Sequence, residues 1–413
     1  MKMHVVPRVR GFVCTTAHPE GCARHILSQI QYANSQPALA SGPKKVLIIG
    51  ASTGYGLASR IVSAFGAKAQ TMGVFLERAA HGTRTASAGW YNTAAFEAEA
   101  HAKGLYATSI NGDAFSDAVK QKTIEQIQRD WGGGIDLVVY SVASPRRTDP
   151  KTGHSFHSVL KPIGNPYTNK TIDVLSGTLS TVCLQPATPQ EIAETVAVMG
   201  GEDWMLWMEA LMEANLLAKG VQTVAYSYLG PELTEPIYTK GTIGQAKKHL
   251  EESCTLLQQK LEPISGKAFV SINKAVVTQA SAAIPIVPLY ISLLYKVMKD
   301  QKLHEGCMEQ IYRLYAGWLY PQTAPLPLDK GRLIRIDDWE MRTAVQQMVT
   351  ELWDQVNAEN LTELTDLVGY REAFYHLFGF EIAGIDYTQE SEIEVPIPSL
   401  IEKSTEPLTV QCV

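Results

Sequence analysis

Short apolar runs recur along the first two-thirds of the chain, with amphipathic stretches between several of them. Val46-Leu47-Ile48-Ile49, following Lys44-Lys45, reads as a first strand buried on both faces. The glycine-rich turn Gly50 to Gly56 comes next, and residues 57–65 have helix-forming composition and spacing. Further strands are predicted at 71–77, 105–110, 135–141, 221–228 and 268–273, with helices at 115–131, 189–219 and 242–261. Strand and helix alternate. The pattern predicts an α/β fold, a Rossmann-type doubly wound parallel sheet covered on both faces.

Other segments elaborate that plan. Residues 1–42 form an N-terminal lead-in, and 145–189 dissolve into Pro, Gly, Thr and Ser, which predicts an inserted hairpin-like segment. C-terminal helices are expected near 305–319 and 337–357, followed by an irregular stretch after Ile385. The whole reads as one elaborated domain, 1–403, with a flexible tail at 404–413. Residues 275–295 carry no charge over 21 positions, long enough to span a bilayer. Pro285 and Pro288, with Thr278, Gln279 and Ser281, favour a buried helix or an apolar wall instead, so no stable membrane insertion is expected.

Composition narrows the function. A net charge of −6 offers no broad basic footprint, which argues against nucleic acid as a partner. The six cysteines show no paired spacing, so neither a disulfide framework nor a metal site is expected. The first residues lack an apolar signal core, and the expected compartment is the cytoplasm.

The turn Gly50-Ala51-Ser52-Thr53-Gly54-Tyr55-Gly56 lies between a buried strand and a helix. Glycines there let the backbone approach a pyrophosphate, whose charge is met by the helix N-terminus. Gly50, Ser52, Thr53, Gly54, Tyr55 and Gly56 are therefore candidate cofactor residues. Glu77, with Phe75 and Leu76 before it, ends the second strand, where an acid can bind the ribose hydroxyls and repel a 2′-phosphate. That favours NADH, although the adjacent Arg78 could hold the same phosphate. Asp113 and Ala114 follow the third strand and could bound the adenine, or Asp113 could cap a helix. Ser141, Val142 and Ala143 close the fourth strand, and Val276 and Thr278 follow the last one. All five join the expected cofactor wall.

Tyr238 and Lys247 have eight residues between them. A phenol can hydrogen-bond an oxygen on which negative charge develops, and a nearby ammonium lowers its pKa from about 10. Taken singly, Tyr238 reads as a loop aromatic and Lys247 as a solvated helix lysine; as a pair they read as catalytic. Tyr228 is a rival donor, and Lys248 is out of register by about 100° on a helix.

The segments GFVCTTAHPEGC (11–22), KKVLIIGASTGYG (44–56), TASAGWYN (85–92), GDAFS (112–116), SVASPRR (141–147), VMGGEDW (198–204), AYSYLG (225–230), GTIGQAKKHLE (241–251) and PLYISLLYKVMK (288–299) resemble the FabV-type enoyl-ACP reductases and trans-2-enoyl-CoA reductases. The resemblance runs to about residue 390. It implies a monomeric, elaborated short-chain-reductase fold that uses NADH to reduce the C2–C3 double bond of enoyl thioesters carried on CoA or an acyl carrier protein. It places Tyr238 and Lys247 in catalysis, Tyr228 as a second active-site tyrosine, and Glu77 as the acid linked to NADH use. It also implies a substrate-covering segment at about 275–299, with Ile284, Leu289 and Tyr295 lining the acyl site. The same Tyr/Lys chemistry would suit a reductase of 3-oxoacyl thioesters, and a non-catalytic NAD-binding redox sensor would share the fold.

Overall fold

The computed structural model describes residues 1–11 and 13–401; the expected tail at 404–413 lies outside them. Eight parallel strands make the central sheet. They are β1 (Lys45–Ile49), β2 (Gln70–Phe75), β3 (Ala107–Asn111), β4 (Ile135–Tyr140), β5 (Leu217–Ser227), β6 (Lys267–Ile272), β7 (Ile334–Arg335) and β8 (Leu400–Ile401), in the spatial order 7-6-5-4-1-2-3-8. The order reverses between β1 and β4, so the crevice for a ligand opens at their carboxyl ends. Leu47 and Ile49 are buried against one helical layer, Val46 and Ile48 against the other, which is why β1 is apolar at successive positions.

Three departures from the expected pattern have physical causes. Helix α1 (Pro19–Ser35) occupies the lead-in; Pro19 stands in its first turn, and the His18 ring accepts from Gly21 N at 3.1 Å. After α2 (Gly54–Ile61), α3 (Ala88–Ala102) fills the gap between β2 and β3. Its run of alanines buries several sides and leaves no apolar stripe to read. Beyond α4 (Asp117–Trp131), the single helix expected over 189–219 is two, α5 (Pro189–Met199) and α6 (Glu202–Glu213). The break is Gly200-Gly201, where a β-carbon at either position would crowd His249 or Ser253 of α7 (Thr242–Leu261), and His249 Nδ1 accepts from Gly201 N at 3.0 Å.

The insertion contains two antiparallel hairpins, Arg146–Thr148 with Ser155–His157 and Tyr167–Asp173 with Thr178–Leu184. Helix α8 (Val287–Asp300) is buried nearly all round. The uncharged run before it is broken at Ile286, whose φ of +75° is rare for a branched side chain. None of the described helices is long and apolar enough to cross a membrane. Helices α9 (Cys307–Leu314), α10 (Thr343–Gln355) and α11 (Leu367–His376) complete the C-terminal third.

The stretch after Ile385 is more ordered than its sequence suggests. Ser391–Glu392 pairs with Lys2–Met3, and β8 extends the main sheet beside β3. A buried polar network anchors this end: Arg60 reaches Glu97 (3.3 Å), Ser109 Oγ (2.9 Å) and Thr108 O (2.7 Å), while Glu97 Oε2 accepts from Ser399 N at 2.8 Å. Glu97→Ala leaves the Arg60 guanidinium buried without its counter-charge. A loss of about 3–5 kcal/mol in urea unfolding is expected, against less than about 1 kcal/mol for the exposed Lys296–Asp300 pair.

Candidate active site

The crevice is built from backbone contacts. At Gly50 (φ +89°) a β-carbon would overlap the carbonyl of Ser141, and at Gly56 it would overlap the carbonyl of Gly50. Gly54 (φ +54°) faces open space, with Thr278 Cγ2 at 3.9 Å from such an atom. Thr53 precedes α2 without a side-chain cap, so the first N–H groups of α2 have no side-chain partner there. Thr53, Gly54, Asn92 and Thr278 line one cleft, with His25 and Gln29 of α1 beside them. A closely apposed glycine turn and an uncapped helix N-terminus at the sheet's switch point fit a dinucleotide pyrophosphate.

Glu77 is half-buried and held in place. Ser52 Oγ donates to its Oε1 at 2.7 Å, and the amide of Asn111 clamps its backbone on both sides, at 2.9 and 2.8 Å. Gly89 is glycine because any side chain would strike this carboxylate. Burial pushes Glu77 up, opposed by hydrogen bonds from Ser87 and Ser52 and by the charge of Arg78. Leu76 is exposed, whereas the Phe75 side chain packs on Ala94 and Ile397.

After β3, Asp113 accepts from Phe115 N at 3.0 Å, while the cap of α4 is Ser116 rather than Asp113. Ala114 O accepts from Trp207 Nε1 and from Lys120, whose ammonium also meets Asp203 at 2.7 Å. Tyr55 turns inward: its hydroxyl donates to Lys274 O at 2.6 Å, with Gln310 Oε1 at 3.1 Å. Ser141 N is tied to Ile49 O, Val142 packs on the core, and Val276 is buried. Ala143 lies three residues beyond the end of β4.

Tyr228 and Tyr238 meet edge to face, with ring centroids 5.0 Å apart. The Tyr228 hydroxyl donates to Glu340 Oε1 at 2.9 Å. Tyr238 is 5% exposed, and its hydroxyl makes no hydrogen bond among the described residues. Ile284, Leu289 and Tyr295 share its apolar cluster, although the Tyr295 hydroxyl is engaged by Val277 N at 3.0 Å. The carbonyl of Tyr238 lies under the first turn of α7, which carries Lys247.

Lys247 makes no hydrogen bond or salt bridge among the described residues. Burial lowers it to about 8 against a weak opposing pull from Glu251. The expected lowering of Tyr238 by this ammonium is not present: burial, then the charge of Glu340, pushes the phenol up and holds it protonated. A protonated phenol is the form that donates. Glu340, Asn111 and Asn92 escaped the sequence reading because single polar residues in a turn, at a strand end or within a helix leave no periodic trace.

A parallel sheet in this order, with such a turn at its switch point, is a dinucleotide-binding fold. The model described as the catalytic region of trans-2-enoyl-CoA reductase matches 84–320, and that of its NAD(P)H-binding domain matches 4–82. A curated enoyl-[acyl-carrier-protein] reductase [NADH] of Coxiella burnetii (strain RSA 493 / Nine Mile phase I) is 61% identical over 96% of this chain and 98% of its own, and one of Cytophaga hutchinsonii is 56% identical over 97% and 100%. The crystal structure of Clostridium acetobutulicum trans-2-enoyl-CoA reductase with NADH matches with a TM-score of 0.92 at 44% identity, covering 95% of this chain and 98% of that one. That of Treponema denticola with NAD gives 0.91 at 48%, covering 96% and 99%. The chain belongs to the trans-2-enoyl-CoA reductase family.

A third model, described as an enoyl reductase FAD-binding domain, matches 328–391. That segment has no counterpart of the Gly50–Gly56 cradle, and Val345, Val349, Trp353, Tyr370 and Phe374 are committed to packing.

Gly56→Ala should weaken NADH binding at least tenfold by fluorescence titration while circular dichroism stays unchanged, because the added methyl displaces the cradle and not the core. Lys247 is depressed by burial, so its charge is present below about pH 8 and lost above it. NADH affinity of the wild type should accordingly fall from pH 7 to pH 9. In Lys247→Met it should be weaker at pH 7 and flat over the same range.

Proposed function

We propose that this protein is an NADH-dependent reductase that saturates the C2–C3 double bond of trans-2-enoyl thioesters, with Tyr238 and Lys247 as its catalytic pair. The observation that carries the assignment of roles is the free, protonated hydroxyl of Tyr238, set in the apolar cluster under α8 and next to the helix that bears Lys247. When bound, the reduced nicotinamide supplies the hydride for C3. Negative charge then gathers on the thioester carbonyl oxygen, and Tyr238 donates a hydrogen bond to it; a proton added at C2 completes the saturated acyl thioester. Glu77 selects the unphosphorylated ribose. Lys247 holds the nicotinamide ribose beside the Tyr238 hydroxyl.

The apolar wall of Ile284, Leu289 and Tyr295 suits an acyl chain, and either CoA or an acyl carrier protein satisfies the same reaction centre. The reading takes the protein as a cytoplasmic monomer, which light scattering on the purified chain checks.

NADH oxidation with crotonyl-CoA tests the assignment. Tyr238→Phe should lose about 10²–10⁴-fold in kcat while binding NADH within about twofold of wild type. Lys247→Ala should lose both turnover and NADH affinity. Absence of wild-type turnover on crotonyl-CoA, longer enoyl-CoA and enoyl-ACP, with turnover on acetoacetyl-CoA, would move the assignment to a carbonyl reductase.

A further inference from the structure

Four elements converge on one buried side chain that has no part in the cofactor cradle. Glu340 follows the short helical turn Ile336–Asp338 and is fully buried. Its Oε1 accepts from Tyr228 at the end of β5 (2.9 Å) and from Tyr290 of α8 (2.6 Å), and its Oε2 accepts from Ala275 N beyond β6 (2.7 Å). Gln346 of α10 closes the group, donating to Tyr290 Oη at 3.1 Å and to the Glu340 carbonyl at 2.8 Å. Lys274, also buried, donates to Ala275 O and is the cation whose charge opposes the burial of Glu340.

From this arrangement we infer that Glu340 is a positioning residue of the reaction: by accepting the hydrogen bond of the Tyr228 hydroxyl it withholds that hydroxyl from the thioester, fixes the Tyr228 ring as the wall on which Tyr238 is aimed, and leaves Tyr238 as the donor. A phenol has one proton, and a Tyr228 bonded to Glu340 cannot donate it to a carbonyl as well. The same oxygen accepts from the covering helix through Tyr290, so seating of α8 and orientation of the tyrosine pair are set by one carboxylate. Hydrogen bonds to an ionised acceptor are the stronger kind, and of the three donors here Tyr290 and Ala275 are buried and Tyr228 is partly so.

The inference rests on the reading of Tyr238 as proton donor, and a double-mutant cycle separates the two. Glu340→Gln keeps size but puts an amide NH2 where one carboxylate oxygen stood, so it opposes either Ala275 N–H or the two phenols. The expected result is a kcat on crotonyl-CoA about tenfold lower with the KM for NADH within twofold. Tyr228→Phe should show a similar loss, and the double variant no more than about a twofold further loss than either single. Gln346→Leu, which keeps every charge, serves as a second probe: about threefold lower kcat in the wild-type background and no effect on Tyr228→Phe. Equal losses from Glu340→Gln and Gln346→Leu with and without the Tyr228 hydroxyl, or a lowered Tm with kcat intact, overturn the role of Glu340 while leaving Tyr238 in place. Full activity in Tyr238→Phe overturns the donor assignment itself.

Discussion

The crevice depends on two backbone contacts that admit no side chain: Gly56 against the carbonyl of Gly50, and Gly50 against the carbonyl of Ser141. They bring the carboxyl ends of β1 and β4 and the N-terminus of α2 within one turn of each other. The switch in strand order opens a crevice at this point in any doubly wound sheet. Here the glycines set its depth, so that a phosphate can meet backbone N–H groups directly. The carboxylate of Glu77 is located by the same constraint, since Ser52 of the turn donates to it and Gly89 gives way to it.

A second constraint is electrostatic. Lys274 and Glu340 are withdrawn from water and Lys247 partly so, which lowers both lysines to about 8 and pushes the carboxyl up. In a medium of low polarity each charge acts further than it would in solvent, and each unpaired donor costs more. Glu340 collects three donors and stands near a cation, whereas Lys247 makes no hydrogen bond or ion pair among the described residues and feels Glu251 only through its charge. Removing an ammonium partly from water without a partner has a desolvation cost, which an anionic or hydroxyl-bearing group beside it would relieve.

The parallel sheet was legible because its strands are buried on both faces and read as continuous apolar runs between a glycine turn and helical spacing. β1 and α7 fall where the sequence places them; the helix over 189–219 did not, because Gly200-Gly201 breaks it for close packing on α7, a tertiary reason invisible along the chain. α3 was hidden by alanines, which fit every face of a helix. Within the candidate site, Gly50, Gly56 and Glu77 stand out by spacing, and the pair Tyr238 and Lys247 is proposed from chemistry and resemblance. Tyr55 and Phe75 were drawn into the cofactor set by position alone, yet their side chains turn into the protein. Glu340 lies 112 residues from Tyr228, and only the folded chain brings its carboxylate to the phenol.

The uncharged stretch 275–295 shows why local hydropathy misleads at such a site. Its length matches a membrane span, but its apolar surface is needed elsewhere: α8 is enclosed by the Tyr167–Asp173 strand, α10 and α11, and its own residues close over Tyr238. Ile286 begins that helix in a left-handed conformation between Pro285 and Pro288, and its N–H reaches Thr171 of the inserted hairpin at 3.3 Å. The chain must bend sharply there for α8 to return over the crevice, and surrounding contacts hold the residue in a conformation that costs on the order of 1–3 kcal/mol. The insertion and the C-terminal helices thus serve one purpose: they enclose an apolar helix that the parallel sheet alone could not cover, and with it the tyrosine pair.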